Sequence, residues 1–192
     1  MQDAPLQAEL GARLRALRAA RGLTLDALAA RSGVSRSMIS LVERGESSPT
    51  AVVLARLATG LGVTMAAIFD TPTGGDAAGP LARRADQREW RDPDSGYVRR
   101  NVSPAGMPQP MSIVDVTFPP GARITFDSAE RGPHVQQQVW VLEGTMEITL
   151  GSERWRLEVG DCLAMLRDRP ITFNNPASSD ARYAIVIAAE LR

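Results

Sequence analysis

Residues 22–45 have the sequence GLTLDALAARSGVSRSMISLVERG, which decides the fold of the N-terminal part of the chain. Two short segments in this stretch carry apolar residues at helical spacing, and a turn with the sequence Ser32-Gly33 separates them. Thr24 precedes the first segment and Ser35 precedes the second. Both hydroxyls suit an N-cap, because they accept hydrogen bonds from the free amides of a first helical turn. The pattern predicts two helices joined by a tight turn.

The second of these segments is amphipathic. Its buried side is predicted to contain Met38, Ile39 and Val42. Its exposed side is predicted to contain Arg36, Ser37, Ser40 and Arg44. A helix-turn-helix presents its second helix to the major groove of DNA in this way. Apolar spacing on either side of the pair predicts further helices, so that residues 6–70 are all helical.

Residues 10–69 resemble the helix-turn-helix domains of the lambda-repressor and Cro class, also called the xenobiotic-response-element family. The resemblance is carried by the LRALRAARGLT opening, the LA-xx-SGVS turn, the IS-x-VERG-x-x-SPT run and the LA-x-GLGV close. It extends to the flanking helices as well as the central pair. The resemblance implies a five-helix domain that binds double-stranded DNA.

The same resemblance assigns roles to residues of the second helix. Arg36 and Ser37 are expected to reach base edges, and an arginine that bonds guanine O6 and N7 contributes about 1–3 kcal/mol of discrimination. Leu41 is expected either to touch a thymine methyl group or to pack. Arg44 is expected to contact phosphate, with a solvated surface charge as the alternative. The predicted DNA-contact residues are Thr24, Ser35, Arg36, Ser37, Ser40, Leu41 and Arg44. The resemblance also implies a partly buried ion pair between Arg18 and Glu43.

Composition restricts the class of protein. The chain has 192 residues, with 22 basic residues, all of them arginine, and 22 acidic residues. Residues 1–72 carry eight arginines and six acidic residues, so positive charge for DNA must lie on one face. The only cysteine, Cys162, cannot form an internal disulfide. Without a membrane-length apolar run or a signal pattern, the sequence predicts a cytoplasmic protein that does not contact membranes.

The rest of the chain changes character twice. Residues 71–96 are rich in Gly, Pro and polar residues, which predicts a linker with a short ordered piece around Trp90. From Tyr97 to residue 192 the apolar period is two, and glycine turns separate the runs. The runs predicted to be strands are MSIVDVTF, RITF, QQVWVLEG, TMEITLG, RWRLEVG, CLAML and YAIVIAAEL. Short strands at this spacing are typical of a sandwich or barrel.

This second half resembles a cupin. The runs HVQQQVWVLEGTMEITLG and LEVGDCLAML…ITFNNP occupy the places of the two cupin motifs. The predicted fold class is therefore a multi-domain α plus β protein. It combines an N-terminal five-helix repressor-type helix-turn-helix domain (6–70), a linker (71–96) and a C-terminal antiparallel β jelly-roll barrel (97–192).

The cupin resemblance implies a metal site that this sequence does not preserve. Metal-bearing cupins use two histidines at alternate positions, then a Glu, and a third histidine from the second motif. Here those positions are His134, Gln136, Gln137 and Ile171. A neutral amide is a poor ligand for a first-row metal, and Ile171 cannot ligate. His134 is the only histidine of the chain, so we predict no metal and no cofactor.

A barrel without a metal can still bind a small molecule. His134 is either a hydrogen-bonded residue without a ligand or a polar contact for a ligand, and the sequence leaves both open. The predicted ligand-binding residues are His134, Gln136, Gln138, Arg123, Phe126, Met111 and Trp140. Ordinary core packing is the alternative for Met111 and Trp140. Cys162 is predicted to be a small buried hydrophobic residue.

We interpret the chain as a transcriptional regulator and not as an enzyme. Its expected partners are operator DNA, a second copy bound through the cupin half, and a small-molecule effector; repression is expected by analogy. Three alternatives stay open at this point. The cupin half is a structural dimeriser without an effector, the chain is a metal-dependent cupin enzyme with an attached DNA-binding-like domain, or it is an interaction module such as an antitoxin.

Overall fold

The computed structural model describes residues 4–70, 79–106, 111–127 and 135–189. They form two compact units, which we call the helical unit and the strand unit. None of the helices in these ranges combines the length and the apolar character that spanning a bilayer requires.

The helical unit begins four of its five helices with a hydroxyl cap. The helices are α1 (Ala4–Ala20), α2 (Leu25–Ser32), α3 (Arg36–Glu43), α4 (Ala51–Leu61) and α5 (Met65–Phe69). The caps of α2 to α5 each accept a hydrogen bond from the amide three residues ahead, and they are Thr24, Ser35, Thr50 and Thr64. The predicted N-caps of α2 and α3 are confirmed, because a hydroxyl satisfies an amide that the helix itself leaves free.

Two glycines set the position of α3. Gly33 has a φ of +68°, which ends α2 in the left-handed conformation that glycine adopts without strain. Gly11 of α1 lies against the end of α3, where an added Cβ would collide with the carbonyl oxygen of Val42. Helix α1 also packs against α5, and α2 packs against α4. The resulting core contains Leu10, Leu14, Leu28, Ile39, Val42, Leu54, Leu57, Leu61 and Ile68.

The strand unit consists of two antiparallel sheets. Its strands are β1 (Glu89–Arg91), β2 (Val98–Asn101), β3 (Met111–Phe118), β4 (Arg123–Phe126), β5 (Val135–Glu143), β6 (Met146–Leu150), β7 (Glu153–Leu157), β8 (Cys162–Leu166), β9 (Ile171–Asn174) and β10 (Ala181–Ala189). The larger sheet has the order β1-β2-β3-β10-β5-β8, and the smaller has the order β4-β9-β6-β7. Five helices followed by a two-sheet cupin-like fold confirm the predicted fold class.

Aromatic side chains join the two sheets. The rings of Phe173 on β9 and Tyr183 on β10 stack with centroids 5.9 Å apart. Tyr183 also contacts Phe118, and Phe173 contacts Phe126. We call the side of each sheet that carries these residues its inner face and the opposite side its outer face. Strand β10 lies between β3 and β5, so the apolar C-terminal run forms the middle of the larger sheet.

The structure confirms one local prediction and corrects two others. The ordered piece expected around Trp90 is strand β1, and Trp90 itself is buried because it packs against Tyr97. The run ITFN, which was not among the predicted strands, forms β9. Cys162 is exposed rather than buried, because it lies opposite Trp140 on the outer face, where its Sγ is 3.8 Å from Gln138.

Candidate functional site

The first turn of α3 presents polar groups to solvent. Ser35 accepts a hydrogen bond from the amide of Met38 at 3.2 Å, and its Oγ is also 3.2 Å from that of Ser37. Arg36 follows the cap directly, and 65% of its side chain is exposed. Met38 is half-buried rather than buried, whereas Ile39 is buried as predicted. The start of α3 is thus held by its cap while the Arg36 guanidinium extends from it.

Two exposed arginines, Arg36 at the start of α3 and Arg44 at its C-terminal cap, each lie near a carboxylate. Arg36 Nε is 3.3 Å from Asp26, and both side chains are exposed. Arg44 donates two hydrogen bonds of 2.7 Å to Glu46 and one to Ser40. The bond to Glu46 raises the pKa of Arg44 and lowers the pKa of the Glu46 carboxyl. Because these pairs are exposed, water screens them and an incoming anion can replace the carboxylate.

The remaining predicted DNA-contact residues lie at or near the same helix ends. Thr24 caps α2 by accepting from the amide of Ala27 at 3.1 Å, which places it at a helix N-terminus. Ser40 and Leu41 are half-buried in the middle of α3. The structure therefore brings Ser35, Ser37, Ser40 and Arg44 onto α3 or its caps, with Thr24 at the start of α2.

A buried ion pair fastens α3 to α1. Arg18 bonds both oxygens of Glu43, at 2.6 and 2.7 Å, and also donates to the carbonyl of Leu23 at 2.8 Å. Only 16% of the Arg18 side chain and 7% of the Glu43 side chain are exposed. The hydrogen bond to Glu43 is the main reason that the pKa of Arg18 is raised. The predicted ion pair is confirmed, and it holds the end of α3 against the first helix.

In the strand unit, three of the predicted ligand-binding residues lie on the outer face of the larger sheet and not in its interior. Gln136, Gln138 and Trp140 alternate along β5 with the buried residues Gln137 and Val139. The three predicted residues are exposed on the outer face because side chains alternate along a strand. The inward polar residue of β5 is Gln137, which lies opposite Met165 of β8.

The other predicted ligand-binding residues are spread over three places. Met111 is exposed and, with Gln136 and Gln138, lines an outer-face depression of about 340 Å³. Arg123 is exposed, so it too does not line the interior. Phe126 faces inward, where its ring meets Phe173 edge-on at 6.1 Å. His134 lies outside the described residues. The predicted set is therefore wrong as one cavity, and of its described members only Phe126 points inward.

The described residues do not fit the metal that the cupin resemblance implies. Gln136, at the second histidine position, points outward, and Ile171, at the third, is a buried hydrocarbon. Gln137, at the Glu position, offers a neutral amide, which is a poor partner for a divalent metal. Across the described ranges, His, Cys, Asp and Glu form no cluster of three or more that suits a metal ion.

The interior does contain charged and polar groups that sequence reasoning missed. Arg99 and the phenols of Tyr97 and Tyr183 are buried on the inner face of the larger sheet. Burial raises the pKa of Tyr97 to about 12 and that of Tyr183 well above its ordinary value, and it lowers the pKa of Arg99. The sequence VRRN offers no local signal for which arginine turns inward.

The comparisons with known proteins agree with the helical geometry. Residues 9–68 match a family model described as a helix-turn-helix domain. The chain is 26% identical over 178 residues to the HTH-type transcriptional regulator SutR of Escherichia coli (strain K12), covering 93% of each chain. It is 25% identical over 173 residues to the HTH-type transcriptional regulator PuuR of the same organism, covering 90% of each.

A solved structure matches both units together. It is an HTH_3 family transcriptional regulator from Vibrio cholerae, with a TM-score of 0.78 and 26% sequence identity. The match covers 97% of this chain and 98% of that one. The similarity therefore extends beyond the helices into the strands.

Proposed function

Since the chain is a transcriptional regulator with a helix-turn-helix domain, we propose that it binds an operator as a homodimer and represses transcription. The observation that carries the proposal is the first turn of α3, where a capped helix start projects the exposed Arg36 guanidinium. Repression follows from a dimer that occupies the operator and blocks access to it. The chain is proposed to have no enzymatic activity.

In this proposal α3 lies in the major groove. Arg36 bonds the O6 and N7 atoms of guanine, and Ser37 contacts the neighbouring base edge. Arg44 exchanges Glu46 for a phosphate, and the start of α2 at Thr24 offers free amides to a second phosphate. The Arg18–Glu43 pair is proposed to position α3 without touching DNA.

The dimer is proposed to form through the outer face of the larger sheet. Four large apolar side chains are exposed there, and they are Met111, Ile113, Trp140 and Leu166. They lie on β3, β5 and β8, with the half-buried Val186 of β10 between them. An exposed apolar patch of this kind marks an interaction surface.

A second copy of the chain is the proposed occupant of this face. The same face carries Arg100, Asp115, Arg182 and Glu143, which bond one another within the sheet. A two-fold axis brings the same patch of both copies together, and because these charges are already paired within each sheet, the apolar side chains are proposed to pack against their copies without repulsion between like charges. Helix-turn-helix domains act in pairs on two half-sites about one helical turn apart, which a two-fold dimer supplies.

The DNA-binding proposal is tested by fluorescence anisotropy with the DNA upstream of the protein's own gene and a scrambled duplex, each at two salt concentrations. Wild type is expected to prefer the native duplex, and Arg36→Ala is expected to lose about 10- to 100-fold in affinity for it. Arg31→Ala is the matched control, because Arg31 is exposed at the end of α2. Equal binding of both duplexes with a steep salt dependence would contradict the proposal, since it indicates phosphate attraction alone.

The dimer is tested separately by light scattering coupled to size-exclusion chromatography. Wild type is expected to have the mass of two chains, and Trp140→Glu is expected to have the mass of one. Val159→Glu is the control, because Val159 is also exposed but lies between β7 and β8 rather than on the outer face. A monomeric wild type would contradict the dimer, whereas a dimer that survives Trp140→Glu would assign the interface elsewhere.

A further inference from the structure

Asp26 and Arg36 form an ion pair that connects the starts of α2 and α3. Asp26 is the second residue of α2, and Arg36 is the first residue of α3. The hydroxyl caps Thr24 and Ser35 fix the backbone of the two helix starts. Arg36 Nε is 3.3 Å from Oδ1 of Asp26, and both side chains are exposed. In the ranges that the structure describes, Asp26 is the only carboxylate paired with Arg36.

This pair contributes little to the stability of the helical unit. Water screens two exposed charges, and Thr24 already caps α2 by accepting a hydrogen bond from the amide of Ala27. Removing the Asp26 carboxylate is therefore expected to leave the fold intact. Its consequences fall instead on the groups that the Arg36 guanidinium can bind.

The Asp26 carboxylate acts differently on the two kinds of DNA group that compete for Arg36. A guanine edge is neutral and offers the acceptors O6 and N7, so the two Nη groups of Arg36 can bond it while Nε stays beside Asp26. A phosphate is an anion, so it must either displace the Asp26 carboxylate or lie close to its negative charge. Either course costs free energy that a guanine contact does not. Asp26 thus penalises a phosphate contact by Arg36 more than a guanine contact.

We propose that Asp26 is a positioning residue, which raises the preference of Arg36 for guanine by disfavouring the use of Arg36 as a phosphate contact. Specificity is a difference between two affinities, so weakening the wrong contact is as effective as strengthening the right one. Non-operator DNA attracts arginine through its phosphates alone, and such sites greatly outnumber an operator. The inference rests on the proposed function, because it requires that Arg36 reaches the bases.

The test measures the ratio of the affinities for the native and the scrambled duplex, by fluorescence anisotropy at two salt concentrations. Asp26→Asn is expected to raise the affinity for the scrambled duplex and to lower the ratio about threefold at low salt. The salt dependence of scrambled-duplex binding is expected to steepen, because Arg36 then displaces counterions from a phosphate. Asp26→Glu keeps the charge and is expected to restore most of the ratio.

Glu46→Gln is the matched control, because it makes the same change from carboxylate to amide beside Arg44. Arg44 is proposed to contact phosphate, which every duplex offers, so this variant is expected to raise both affinities equally and to leave the ratio unchanged. A second control places Asp26→Asn in the Arg36→Ala background. There the affinity for the scrambled duplex is expected to rise much less than in wild type, because the partner of Asp26 is absent.

Two results would overturn the inference and leave the proposed function standing. One is an unchanged affinity ratio in Asp26→Asn. The other is an equal rise in scrambled-duplex affinity with and without Arg36, since Asp26 would then repel phosphate by itself. A wild type that binds both duplexes equally would overturn the proposed function and this inference together. Circular dichroism verifies folding, and Asp26→Ser is a second uncharged variant that suits the first turn of a helix.

Discussion

Arginine has different surroundings in the two units. In the helical unit, Arg18, Arg36 and Arg44 each lie beside a carboxylate. Inside the strand unit, Arg99 and Arg167 lie among aromatic rings and phenols. A carboxylate next to an exposed arginine is easily exchanged for a phosphate, whereas a buried arginine must find its counter-charge inside the fold. The same residue type is therefore held by exposed, exchangeable carboxylates at the surface of one unit and enclosed by aromatic rings inside the other.

The largest expected effect is on the buried pair of the helical unit. Glu43→Ala leaves the Arg18 guanidinium without its carboxylate, and we expect a loss of about 3–5 kcal/mol in the free energy of unfolding. Urea unfolding followed by circular dichroism at 222 nm measures it. Glu46→Ala is the control, because the exposed Arg44–Glu46 pair is expected to leave the midpoint unchanged. Equal urea midpoints for wild type and Glu43→Ala would show that the buried Arg18–Glu43 pair contributes no more to stability than the exposed Arg44–Glu46 pair.

The second largest effect depends on pH. It concerns Asp115 of the strand unit, whose carboxylate pairs with Arg100 and Arg182. Burial raises the pKa of Asp115, but hydrogen bonds and charges from Arg182 and Arg100 outweigh it, so the net pKa is lowered. A lowered pKa stabilises the fold above the ordinary value of 3.8, and this stabilisation is lost as pH falls through the folded value.

Asp115→Asn is therefore expected to lose about 1–3 kcal/mol at pH 7, since it gives up charge-assisted hydrogen bonds. The difference from wild type is expected to shrink as the pH is taken below 3.8. Chemical unfolding at a series of pH values measures it. A difference that is the same at pH 7 and pH 3 would mean that packing, not charge, is lost.

The third effect has the opposite sign. Arg167→Gln removes a charge that burial and Arg99 both oppose, so we expect the unfolding midpoint to rise by about 2 °C. Arg18→Gln, its counterpart in the helical unit, is expected to lower the unfolding midpoint because it leaves the buried Glu43 carboxylate without its arginine. Differential scanning calorimetry compares the two variants. A lowered midpoint in Arg167→Gln would indicate that its contact with Phe126 outweighs the cost of burial.

The smallest expected effect concerns the exposed pair of Arg44 with Glu46, whose carboxylate a DNA phosphate is proposed to replace. Glu46→Gln frees Arg44 for phosphate, and we expect affinity for operator DNA to rise by about threefold at low salt, with a smaller gain at high salt. Anisotropy titrations at two salt concentrations measure it. Glu153→Gln makes the same change of charge in the strand unit and is expected to leave DNA affinity unchanged. Weaker binding in Glu46→Gln would show that the pair orients Arg44 for DNA.

Local signals in the sequence were sufficient for the helical unit. The hydroxyls of Thr24 and Ser35 mark helix starts by themselves, and the pairing of Arg18 with Glu43 follows from the family resemblance. In the strand unit, β3, β4 and β8 have the predicted bounds, because period-two runs and turn residues are also local.

The faces of the strands were harder to predict. The buried Gln137, Val139 and Val141 show which side of β5 points inward, whereas the motif comparison had placed the ligand on Gln136 and Gln138. A slip of one residue reverses every side chain of a strand. Arg99 and its neighbour Arg100 differ in the same way: Arg99 faces inward, and Arg100 bonds Asp115 on the outer face. The register in which β2 pairs with β3 determines which of the two arginines faces inward. The four residues of β2 contain no sequence signal for that register.

The central place of β10 has a consequence for synthesis on the ribosome. Strands β3 and β5 both depend on β10 as a hydrogen-bonding neighbour, yet it follows every other strand in the chain. At a translation rate of roughly 5–20 residues per second, the helical unit has time to fold first, while the apolar edges of β3 and β5 wait for seconds without their neighbour. Nascent chains stalled before Ala181 are therefore expected to be the species that chaperones and proteases engage.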